Sequence, residues 1–161
     1  MDQRIDTARA AILTRLIWYW LPVAMMLGAM YYFSTDTFSD DNSLGVVEKM
    51  FLSFFPHASE YMMEVLNYVV RKSAHLTEYA ILGALLFRAF RAGRPMRWRL
   101  KWAVYSFLSV ASWALLDELH QTFTRTRSGS IWDFLLDSTG GLFSLAVIAL
   151  YSIKHPTPRS S

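Results

Sequence analysis

Three short stretches of this chain set ionisable side chains into otherwise apolar surroundings: Arg71-Lys72-x-x-His75-x-x-Glu78, Asp117-Glu118-x-His120-Gln121, and Asp133 with Asp137. Charges in or beside hydrocarbon are costly, so residues kept there are by default functional. The chemistry they offer is of three kinds. His120 or His75 beside an orienting carboxylate can serve as general acid or base. Arg71 and Lys72, together with Arg125 and Arg127, can hold a phosphate or carboxylate group. His75, Glu78, Asp117, Glu118 and His120 supply nitrogen and oxygen donors suited to zinc or manganese. The H-x-x-E and E-x-H spacings are too common to establish a metal centre, so none is assigned and no cofactor is called for. The chain has no nucleophile motif and no glycine-rich phosphate loop. Its lack of cysteine excludes disulfides, thiolate metal sites and a cysteine nucleophile.

Each motif also has a plain structural alternative. Lys72 with Glu78 or Asp133, and Arg127 with Asp117, can be ion pairs that fix helix register. Ser130, three residues before Asp133, resembles a helix-capping arrangement. Asp137 lies a turn deeper and is harder to explain that way.

These residues need rigid elements to position them, and composition says which. The 161 residues are 53% hydrophobic, 16% aromatic and only 18% charged, more apolar than a soluble core of this length easily hides. The expected fold is all-α: a polytopic membrane protein with four transmembrane helices and an amphipathic surface helix between the first two. A span needs roughly 20 mostly apolar residues. The candidate spans cover about 16–33, 74–90, 102–119 and 131–151, in a single membrane domain of residues 16–153. Residues 1–15 and 154–161 form the two flanking tails. The first window lacks a clean A-x-A cleavage pattern and reads as a retained anchor.

Charge orients the chain. Arg88, Arg91, Arg94, Arg97, Arg99 and Lys101 cluster around the 91–101 loop with no acidic partner, which favours the cytoplasmic side and puts both termini there too. The expected location is therefore a bacterial plasma membrane. A basic loop of this kind serves topology and anionic headgroups, and nucleic-acid binding is not expected. The outer-face segment is 34–73, where Leu44, Val47, Met50, Phe51, Phe54 and Phe55 have helical spacing before Pro56. Residues 58–70 read as a further helical stretch able to run into the second span.

With that topology the three motifs fall in one layer near the outer surface. Lys72, His75, Glu78, Tyr79 and Leu82 share one face of the second span. Trp113, Asp117, His120 and Gln121 share a face of the third. Asp133, Asp137, Gly140 and Ser144 align on the fourth, where Gly140-x-x-x-Ser144 forms a small-residue ridge for close packing. Ser106, Ser109 and Ser112 are expected to bond their own helix backbone. Trp18, Trp20, Trp98, Trp102 and Trp132 are expected at the interfaces, with Trp113 packed beneath the layer.

RKSAHLTEYAILG, followed by DELHQTF, an arginine-bearing loop and DFLLDSTGG, resembles the VanZ family of small membrane proteins over most of residues 68–145. The resemblance carries over Lys72, His75, Glu78, Tyr79, Asp117, Glu118, His120, Gln121, Arg127, Asp133 and Gly140. At Asp137 the family pattern commonly has asparagine, so this chain adds a potential charge. The resemblance implies an envelope protein, since the family is named for a protein associated with low-level resistance to teicoplanin. It implies no particular reaction. The expected function is binding of an envelope lipid, cell-wall precursor or glycopeptide-related ligand at the outward polar site, with Lys72, Tyr79, Gln121, Arg125, Arg127, Asp133 and Asp137 as ligand contacts. The bilayer, and a membrane-protein partner, complete the expected associations. The first alternative is a membrane-embedded enzyme acting on lipid-linked or headgroup substrates through the His/Glu/Asp cluster. The second is a proton, ion or small-solute transporter.

Overall fold

A computed structural model describes residues 2–34, 48–94, 98–123 and 129–155. Among these the chain is all-α: α1 (Asp2–Phe33), α2 (residues 48–54), α3 (Glu60–Arg91), α4 (Leu100–Gln121) and α5 (Ile131–Lys154). Helix α1 begins well before the apolar window that opens near residue 16. Residues 2–15 contain neither proline nor glycine and include three alanines and three arginines, which are good helix formers, so nothing stops the helix from running outward. Of the amphipathic stretch expected before Pro56, residues 48–54 are helical, and 43–47 lie outside the described residues.

Helix α3 joins the 58–70 stretch to the second expected span in one continuous helix. Ser59 caps its start by accepting a hydrogen bond from the Met62 N–H, with Glu60 in the first turn. It then runs 32 residues through the expected span and stops where Ala92 turns left-handed (φ 48°), followed by Gly93 (φ 77°). At 1.5 Å per residue it is about 48 Å long, more than the roughly 30 Å of a bilayer core.

The bundle is built around α3. Tyr79, Leu82, Leu86 and Ala89 of α3 pack with Val110 and Ala114 of α4 and with Val23 and Met30 of α1. Between α3 and α5 the helices come together through small residues. A Cβ on Gly140 would lie 2.5 Å from the Leu76 carbonyl oxygen and 3.2 Å from Tyr79 Cβ. One on Gly83 would lie 2.6 Å from Ser144 Oγ, and on the α4 side of α5 one on Gly141 would lie 2.7 Å from Val110 Cγ1. The Gly140–Ser144 ridge is therefore a true packing seam.

A second cluster joins Phe87, Trp102, Ala103 and Leu145 at the other end. Trp102 was expected at an interface, yet it is only 3% exposed. Its ring meets Phe87 edge-on, and Arg94 and Arg99 cover it. Basic residues at the loop have taken the role of its solvent cover. Ser106 bonds the Trp102 carbonyl at 2.7 Å, as expected for a serine inside an apolar helix.

The outside of the bundle is apolar. Trp18, Leu21 and Met25 on α1, Leu108 and Leu115 on α4, and Leu142, Phe143 and Leu150 on α5 are all exposed, a surface unsuited to water. Two helical stretches, Ile12–Tyr32 and Ile131–Lys154, are long and apolar enough to cross a membrane.

Candidate functional site

The site lies where the first half of α3, the last turn of α4 and the first turns of α5 meet. Two local features bring the start of α5 onto the end of α4. A Cβ on Gly129 would lie 2.5 Å from the Glu118 carbonyl oxygen and 2.7 Å from Thr122 Cγ2, so only glycine fits this close approach. The next residue, Ser130, donates its backbone N–H to Glu118 Oε2 at 2.6 Å. Its own hydroxyl accepts from Trp132 N–H and caps α5. The reciprocal capping arrangement with Asp133 is therefore not formed, because Glu118 occupies the donor that Asp133 would have used. Asp133 instead pairs with Lys72 across α3 and α5, both side chains partly accessible. That is one of the structural ion pairs foreseen for Lys72.

One turn deeper, Asp137 is 1% exposed and faces His75, whose Nδ1 lies 3.7 Å from Oδ1. Asp117 of α4 completes a group in which one donor atom from each of His75, Asp117 and Asp137 lies within 4.8 Å of the others. Gln121 holds Asp117 by donating Nε2–H to Oδ2 at 3.1 Å. The surrounding polar atoms are under-satisfied. Both Asp137 oxygens, Glu118 Oε1, Tyr79 Oη, Trp113 Nε1 and Ser138 Oγ are buried without a hydrogen-bond partner. Native interiors leave few such groups, and several in one layer call for an explanation.

Lys72, His75, Tyr79, Asp117, Glu118, Gln121, Asp133 and Asp137 are thus gathered at one end of the bundle. Glu78 is half-buried on the same helix. His120 takes a different direction. Its ring lies against Tyr31 of α1, centroids 5.2 Å apart, and it is not in the three-donor group. Arg125 and Arg127 lie outside the described residues. Two residues escaped the sequence reading. Tyr31 gave no signal because α1 read only as an anchor, whereas Ser138, a serine beside Asp137 in an apolar helix, was a visible irregularity. Trp113, a turn below Asp117, and Leu116, the residue before it, enter the wall of an open groove of about 350 Å³ completed by Leu27, Leu86, Leu108, Ser109 and Ser112.

A family model described as VanZ/LLP1 matches residues 17–153, most of the chain. The chain belongs to the VanZ/LLP1 family. The matched stretch includes every site residue named above, and family membership together with two apolar helices points to a membrane protein. No curated protein and no solved structure matches the chain.

Proposed function

We propose that this VanZ-like protein crosses the bacterial plasma membrane four times, with both termini cytoplasmic, and uses the polar layer as an outward-facing binding site for the headgroup of an envelope lipid or lipid-linked cell-wall precursor. The observation that carries this reading is the set of buried, unpartnered polar atoms on α3, α4 and α5, one of which, Trp113 Nε1, belongs to a residue that also lines an apolar groove between α1, α3 and α4. A ligand with a polar head and a hydrocarbon tail matches both halves, whereas a wholly polar solute leaves the groove unexplained. The partly exposed Lys72–Asp133 pair at the rim offers a cation for an anionic headgroup and a carboxylate for an amine or hydroxyl. Helix α4 carries its ionisable residues only near its two ends, whereas α3 carries Arg71, Lys72, His75 and Glu78 at mid-length and is free of Asp, Glu, Lys, Arg and His from there to Arg88, so its apolar half is the part suited to hydrocarbon. A link to glycopeptide resistance follows the family association and is a question of phenotype.

Native mass spectrometry of gently solubilised protein tests the reading. Wild type should retain a specific envelope lipid, and the Lys72→Gln/Asp133→Asn double variant of matched thermal stability should release it. Retention of the same ordinary phospholipids by both proteins would count against a ligand site and favour a partner-binding or structural layer.

A further inference from the structure

Within the layer, Asp137 has surroundings unlike those of its neighbours. It is 1% exposed, and neither carboxylate oxygen accepts a hydrogen bond. Lys72 is committed to Asp133. His75 Nδ1 lies within ion-pair range at 3.7 Å but too far for a hydrogen bond. Into the same space α4 brings a second carboxylate, Asp117. Two carboxylates brought together against one imidazole, one of them fully buried and the other two groups only partly accessible, repel each other unless positive charge sits between them.

We propose that His75, Asp117 and Asp137 form a binding site for one divalent transition-metal cation of the zinc or manganese type. Since the three donor atoms lie within 4.8 Å of one another, a cation among them need be no farther than about 2.8 Å from each. Zinc–nitrogen and zinc–oxygen bonds are about 2.0–2.2 Å, so side-chain shifts below about 1 Å close the site. The donor set of one imidazole and two carboxylates selects against magnesium and calcium, which prefer oxygen alone. The Gln121 N–H on Asp117 is the kind of outer contact that fixes a ligating carboxylate. Three protein donors leave at least one coordination position open toward the rim. Sequence spacing could not reveal the site, because its donors come from three helices and the pair H-x-x-E is not the one used. The cation site goes beyond the lipid-binding reading and does not depend on it.

The test uses the full chain in detergent, stripped with chelator and dialysed against zinc alone or manganese alone, with bound metal counted by plasma mass spectrometry. Wild type should hold about one zinc per chain at a closed three-donor site. Asp137→Asn and His75→Ala should lose it, Lys72→Gln/Asp133→Asn should keep it, and Gln121→Ala should bind about 10- to 100-fold more weakly. Wild type binding no more metal than Asp137→Asn overturns the proposal, as does a tightly binding His75→Ala. If Asp137→Asn does not fold, His75→Gln at a partly exposed position replaces it, and cobalt(II) added to wild type must give an absorption band of a nitrogen- and oxygen-ligated site. The absence of that band overturns the proposal without any variant. Zinc binding with no retained lipid would sink the lipid reading alone, and lipid retention with no zinc would sink the cation site alone.

Discussion

Asp137 sets the energetic problem of the site. A carboxylate with 1% exposure and no hydrogen bond to either oxygen has given up its hydration for one imidazole at 3.7 Å. Such a group costs the fold stability unless a ligand or cation completes its environment. An amide in its place still lacks partners but carries no charge. In chelator, Asp137→Asn should therefore melt higher than wild type, by the equivalent of about 1–2 kcal/mol. Added zinc should raise the wild-type melting temperature and leave the variant unmoved, since a cation that binds only the folded state stabilises it by mass action. Thermal melts with and without zinc measure both. A variant that melts lower than wild type in chelator would mean that the His75 contact already satisfies the carboxylate.

At the scale of elements, what holds His75 opposite Asp137 is the seam between α3 and α5. Gly140 sits one turn beyond Asp137, and its contact partner, the Leu76 carbonyl, belongs to the residue after His75. A side chain there meets backbone at 2.5 Å and has nothing flexible to displace, so the helices must part. Gly140→Ala should cost about 1–3 kcal/mol and weaken any ligand held by α3 and α5 together. Gly28→Ala is the matched control. A Cβ there meets nothing within 4 Å, and in a helix interior alanine gains up to about 1 kcal/mol over glycine. Equal melting temperatures for the two variants would remove the seam from the argument. The seam itself was legible, because Asp133, Asp137, Gly140 and Ser144 recur at helical spacing. So was the long α3, whose pattern continues through residue 70 with no breaker. Other features depend on partners distant in sequence. Sequence alone leaves Asp133 as a cap or an ion pair, and the choice is made by Glu118, whose Oε2 accepts the Ser130 N–H. His120 shared a helix face with Asp117, but a face is wide enough for one side chain to turn toward α1 while the other turns toward α5. Trp102 looked like an interface anchor because its burial by Phe87 and Leu145 is a tertiary fact.

Taken as a whole, the molecule separates charge along its length. One end gathers Arg88, Arg91, Arg94, Arg99 and Lys101, with Arg88 over the Tyr19 ring and hydrogen-bonded to the Trp18 carbonyl. The other end holds Asp117, Glu118, Asp133 and Asp137. Between them lies an apolar surface on α1, α4 and α5. The proposed topology puts the acidic end outside, under the rule that short loops rich in lysine and arginine remain cytoplasmic. The rule acts on the loop, not on the acids, so neutralising the site should leave orientation unchanged while neutralising the loop should not. A C-terminal fluorescent reporter should be bright and a C-terminal alkaline phosphatase silent, with the reverse for insertions after Phe123. Replacing Arg91, Arg94, Arg97 and Arg99 by glutamine should produce a measurable inverted fraction, and Asp133→Asn should produce none. An active phosphatase at the C-terminus of the unaltered chain would turn the site toward the cytoplasm. The envelope-ligand reading would then fall, while the cation site, which rests on three side chains and no membrane side, would stand.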